Sequence, residues 1–140
     1  MIASWIVKRK LRSSWAMWNR GDIESMLANW ADESVFSYPP DVSVGGAIVG
    51  KKAIREFYQR FLQQFPKRKF VVRNICVGDI SLARGKAVAV IEARAELTNK
   101  DGKDFKMDYC IVTESRNFKA IRVAEYVNDM ATVKRAWGEA

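Results

Sequence analysis

The chain has 140 residues, 49% hydrophobic and 29% charged, the composition of one globular domain over residues 1–140 with a real core. It contains no histidine and only two cysteines, Cys76 and Cys110, so neither a metal nor another cofactor is expected, and Ser-His or Cys-His nucleophile pairs are excluded. No apolar run approaches the ~18 residues that cross a bilayer, and the apolar Ile2–Val7 precedes the basic Lys8-Arg9-Lys10, the reverse of a signal peptide.

Both cysteines lie in β-patterned runs, where a free thiol behaves as a small hydrophobe. A cytoplasmic protein with no membrane association is expected. The formal charge of +8 is uneven: residues 1–20 carry five basic and no acidic side chains, and residues 51–73 carry eight basic and one acidic. Both segments are helical by pattern, so the charge reads as coating on exposed helix faces. Nucleic acid is not the expected partner, since no reading motif or run of stacking aromatics accompanies it.

Residues from about 5 to 19 place Val7, Leu11, Trp15 and Trp18 at helical spacing. Asn19-Arg20-Gly21 ends that helix, and Asp22 can cap a short second one running to about Trp30. An extended stretch, Ser34–Tyr38, runs into Pro39-Pro40. Gly45-Gly46 and Gly50 mark a loop. The clearest helix follows, about Lys51–Phe65, with Ile54, Phe57, Tyr58, Phe61, Leu62 and Phe65 on one stripe.

After Pro66 the pattern is β. Lys69–Val77, Lys86–Thr98, Lys103–Glu114 and Phe118–Val127 read as strands separated by turn-forming pairs, with a last short helix near Met130–Trp137. Helices followed by a run of antiparallel strands is the α+β order. The sheet is expected to curl around the long helix and leave a cone-like interior.

In the strand Val88–Leu97, Glu92, Arg94 and Glu96 share one face because side chains alternate. Alternation alone turns these charges to water and Ala89, Ile91, Ala93, Ala95 and Leu97 to the core. Asn99-Lys100-Asp101-Gly102 suits a three-residue hairpin loop with Gly in the left-handed position. Asn99 then pairs with Lys103, and Arg94 falls opposite Asp108.

Several strings match a known family: Asn19-x-Gly21-Asp22, Trp30-Ala31-Asp32-Glu33, Pro39 after a short strand, and Gly50…Ala53-Ile54-Arg55-Glu56-Phe57-Tyr58. Met107-Asp108 and Glu125-Tyr126-Val127-Asn128-Asp129 complete the set. In this order the chain resembles the nuclear-transport-factor-2-like superfamily, in its SnoaL-like, ketosteroid-isomerase-like branch, across about Trp15–Val133. The resemblance implies a cone-shaped α+β barrel in which N-terminal helices pack into a strongly curved antiparallel sheet.

It also implies the reverse facing of the charged strand, with Glu92, Arg94 and Glu96 on the concave side. The outer face would then carry Ile91, Phe105, Met107 and Tyr109 and be covered in a homodimer. Of the ketosteroid isomerase groups only the protonated Asp has a counterpart, Asp108; the base position is Tyr38 and the helix Tyr corresponds to Ser14. Limonene epoxide hydrolases match at Arg94, Glu96 and Glu125. There one carboxylate would activate water, another would protonate the leaving oxygen, and Arg94 would hold them in opposed protonation states.

The resulting expectation is a small, largely apolar organic ligand in a conical pocket, with acid/base chemistry of an epoxide hydrolase, cyclase or isomerase type. Arg94, Glu96, Glu125 and Asp108 would be its catalytic residues. Trp15, Trp18, Trp30, Tyr38, Phe57, Tyr58, Phe61 and Glu92 would line the ligand. The alternative is a non-catalytic ligand-binding or protein-association module of the same fold. The aromatic residues sit at spacings that also suit plain core packing, and Tyr38 reads equally as a donor at the pocket mouth or a strand-end aromatic.

Overall fold

A computed structural model describes residues 1–139. Among them are helices α1 (Ile2–Asn19), α2 (Ile23–Leu27), α3 (Lys51–Gln64) and α4 (Met130–Ala136). The strands are β1 (Trp30–Tyr38), β2 (Gly46–Val49), β3 (Lys67–Ser81), β4 (Lys86–Thr98), β5 (Asp104–Arg116) and β6 (Lys119–Val127). They form one open six-stranded sheet in the order β2-β1-β6-β5-β4-β3. This is the α+β cone architecture expected, with two differences: the sheet is mixed rather than antiparallel, and it does not close into a barrel.

The mixed character comes from β1, which pairs in parallel with β6. Its hairpin partner β2 is Gly46–Val49, which the glycine pattern marks as loop; Gly45 and Gly50 flank the strand and Gly46 opens it, paired with Tyr38. Trp30 opens β1 and does not end α2, because α2 stops at Leu27. Asp22 caps α2 as expected, its Oδ1 accepting from the Ser25 amide at 3.1 Å.

The long helix α3 buries Ile54, Phe57, Tyr58, Phe61 and Gln64, one stripe of an otherwise basic helix. Each large apolar side chain removed from water contributes ~1.5–3 kcal/mol. Trp18 near the end of α1 joins them, its ring centroid 4.9 Å from Tyr58, 5.3 Å from Phe61 and 5.2 Å from Phe70. Asn19 fixes the helix end to the edge strand: its Nδ2 donates to the Phe70 carbonyl at 3.0 Å, and its Oδ1 accepts from the Phe70 amide at 2.7 Å. One side chain thus satisfies both outward backbone groups of Phe70 on this edge strand.

The β4–β5 hairpin has the expected register. Asn99 N–H donates to the Lys103 carbonyl at 2.9 Å, Gly102 adopts φ +80°, and Arg94 stands opposite Asp108. No helix among the described residues is long and apolar enough to cross a membrane.

Candidate functional site

The facing of β4 decides the site, and it follows simple alternation. Ala87, Ala89, Ile91, Ala93, Ala95 and Leu97 are buried on the helix-covered side, while Glu92 is exposed and Arg94 and Glu96 are half-exposed on the other. The expected inward stripe is therefore corrected: Glu92, Arg94, Glu96 and Asp108 lie on the outer face. Arg94 Nε donates to Asp108 Oδ1 at 3.0 Å, and Arg73 joins the same carboxylate at 3.4 Å. The hydrogen bond from Arg94 holds the Asp108 carboxyl below the usual carboxylate range, with Arg73 and Arg94 charge adding to it. Asp108 is thus an anion in a surface pair, not a neutral donor in a pocket. Asn74 donates to Glu92 at 3.3 Å on the same side.

Small residues face inward on β4 because the helices and β5 fill the interior with rings. Ile91, Met107 and Tyr109 are buried there, and Phe105 packs against the core, so the apolar outer face expected to drive a homodimer is the inner face. The outer surface instead exposes Val71, Val90 and Tyr126 among charges.

Between the helices and the concave sheet lies a cavity of about 170 Å³. Trp15, Trp18, Trp30, Tyr38, Phe57, Tyr58 and Phe61 all line it, as do Phe70, Tyr109 and Ile111. One acidic residue is in the lining, Glu125 on β6. It pairs across the ladder with Ile111 and is separated from Arg94 and Glu96 by the thickness of the sheet. The structure therefore does not assemble the Arg94–Glu96–Glu125 constellation.

Burial pushes the Glu125 carboxyl up to about 8. The charged form would sit in an apolar enclosure with no ion-pair partner among the described residues, so the neutral form persists near neutral pH. Three phenols surround the same space. Burial, followed by the neighbouring Glu125 charge, raises Tyr38, Tyr58 and Tyr109, keeping all three protonated.

Two of these phenols are held by indoles: Trp137 Nε1 donates to the Tyr38 oxygen at 3.0 Å, and Trp15 Nε1 to the Tyr109 oxygen at 3.3 Å. Each indole uses a lone pair of the phenol and leaves the phenolic proton available for another acceptor. Tyr109 and Trp137 were not among the sequence-derived site residues. Alternation already placed Tyr109 on the face with Ile111, but the assumed facing sent both outward; Trp137 acts behind Tyr38 and carries no sequence signal. The arrangement is a lone carboxyl of near-neutral affinity for protons, ringed by hydroxyl donors in an aromatic enclosure. It can move a proton on an organic molecule and stabilise an oxygen that gains charge.

The sequence matches the family model of the SnoaL-like domain over residues 11–123. The chain belongs to the SnoaL-like family. No curated protein matches it in sequence. Among solved structures, the SnoaL-like chain is similar to Bal32a from a soil-derived mobile gene cassette, at 20% identity and TM-score 0.79, covering 96% of this chain and 98% of that one. It is also similar to a Bacillus subtilis protein described provisionally as an isomerase, at 24% identity and TM-score 0.77, covering 94% and 92%. A third is TerC, co-crystallised with polyporic acid, at 19% identity and TM-score 0.74, covering 92% and 95%. These likenesses establish the shared cone fold.

Proposed function

We propose that this SnoaL-like protein binds a small, largely apolar organic molecule in the aromatic cavity and transfers a proton on it through Glu125. The observation that carries this reading is the isolation of the Glu125 carboxyl in the cavity wall, where burial brings its proton affinity to about 8. A base of that strength near working pH combines a usable ionised fraction with real driving force for taking a proton from carbon. The phenols of Tyr38, Tyr58 and Tyr109 are the donors for the enolate oxygen that such a transfer creates. The reaction class is therefore enolisation, as in an isomerase or a cyclase, and epoxide opening by an Arg-linked carboxylate pair has no support in the geometry. A relative of the same fold co-crystallised with a small organic acid supports an organic ligand.

The test is α-proton exchange. A panel of small aryl and alkyl ketones is incubated in D2O with wild type and Glu125→Gln, and exchange is followed by NMR. Wild type should accelerate exchange of at least one ketone, and the variant should lose ~10²–10⁴-fold of that acceleration. No acceleration by wild type, or an unaffected variant, removes the catalytic reading.

A further inference from the structure

The far end of the cavity from Glu125 is cationic. Ile6, Leu82 and Phe118 form its rim together with Lys10 of α1 and Lys86 at the start of β4. Lys86 is already engaged, its Nζ 2.7 Å from Asp79. Lys10 is not: it donates to the Phe118 carbonyl at 2.5 Å and meets no carboxylate within ion-pair distance among the described residues. An ammonium carries three donors, so two remain. Lys119, directly after Phe118, is close enough that its charge adds to partial burial in loosening the Lys10 proton. Lys119 itself lies outside the cavity lining, so Lys10 stands alone at the lip, repelled by a neighbouring lysine and with no carboxylate at ion-pair distance, a place that an anion would relieve.

The distance to the other polar end sets the ligand's shape. Glu125 lies six residues beyond Lys119, the first residue of β6, about 20 Å at ~3.3 Å per residue. The lysine and glutamate side chains shorten that span, and aromatic rings occupy what lies between. We propose that the cavity takes an elongated amphipathic acid: its carboxylate at Lys10, with the charge of Lys119 adding from outside the lining, its apolar body among the rings, and its reacting end toward Glu125. The inference rests on the cavity being a small-molecule site and adds the substrate class.

Decanoate and 1-decanol, matched in length and differing in charge, are the probes, with binding read by calorimetry and tryptophan quenching. Wild type should bind decanoate at least fivefold more tightly than decanol. Lys10→Gln with Lys119→Gln should lose that preference while retaining decanol affinity, which also reports an intact cavity. Lys52→Gln with Lys69→Gln, the same charge change at exposed positions elsewhere, should keep the preference. Equal binding of the two probes, or an equal loss in the Lys52/Lys69 pair, overturns the acid subsite while leaving the small-molecule reading intact. Failure of both probes to bind wild type overturns both.

Discussion

Glu125 stands opposite Ile111 across the β5–β6 ladder, and both side chains project into the aromatic cavity. A carboxyl beside an isoleucine in this ring-lined cavity is desolvated without an ion-pair partner among the described residues. That relationship sets the chemistry proposed for the site and the pH dependence that Glu125 contributes.

Rates should follow the ionisation of this carboxyl. If Glu125 removes the proton, its carboxylate is the active form, so exchange should rise with pH and level off above about 8. A pH–rate profile between pH 5 and 10 checks this. A profile flat through pH 8 would remove Glu125 as the base.

Stability should run the other way. The Glu125 carboxyl ionises near its ordinary value of 4.5 when unfolded and at about 8 when folded. Between those values the unfolded chain releases a proton that the folded chain keeps, so stability present below pH 4.5 is lost as pH rises through 8. The loss is a few kcal/mol. Urea unfolding at pH 5 and pH 8.5 should show it in wild type and not in Glu125→Gln.

The outer charges should be dispensable for chemistry. Arg94→Ala and Glu96→Gln remove solvent-screened groups that never reach the cavity, so exchange rates and ligand affinity should stay within twofold of wild type. A loss of tenfold or more in either would show that the β4 outer face communicates with the site.

Asn99 is a buried polar residue whose loss should cost stability. It is 2% exposed, its Oδ1 accepts from the Asp101 and Lys103 amides, and its Nδ2 donates toward the Ala136 carbonyl at 3.4 Å. Alanine would take the side-chain acceptor from the Asp101 and Lys103 amides and leave Gln64 as the remaining side-chain donor to the Ala136 carbonyl. A destabilisation of ~1–2 kcal/mol by urea titration is expected.

Phe118 offers the opposite case. It follows Asn117 in the β5–β6 turn with φ +63°, a left-handed conformation that a bulky residue adopts at a cost, and its side chain is largely exposed. Phe118→Gly should raise stability by ~1 kcal/mol. Its backbone carbonyl remains to accept from Lys10, so the preference for decanoate over decanol should persist, while loss of the ring from the rim weakens both probes alike. A drop in melting temperature would show that the ring packs at the rim more than it strains the turn.

Much of the fold is legible in the residues. The Ile54–Phe57–Tyr58–Phe61 stripe defines α3, and Asn99-Lys100-Asp101-Gly102 defines a hairpin register that puts Arg94 opposite Asp108. The facing of that register is where the resemblance misled. A row of alanines opposite Glu92, Arg94 and Glu96 looks too small to be a cavity wall, yet small residues are what a sheet contributes when rings from Trp18, Tyr58 and Phe61 fill the interior. Plain alternation had the facing right. The parallel β1–β6 pairing had no local signal, because nothing in Trp30–Tyr38 specifies a partner so distant in the chain.

That pairing has a consequence for how the site comes into being. The meander β3–β4–β5–β6 needs only short turns and can form from neighbouring residues, whereas β1 reaches β6 only when the whole intervening chain has been enclosed. Tyr38 comes from β1 and Glu125 from β6. A chain arrested with its meander complete would hold the carboxyl without this phenol, so acquisition of the full proton-transfer site reports closure of the most sequence-distant strand pairing in the sheet.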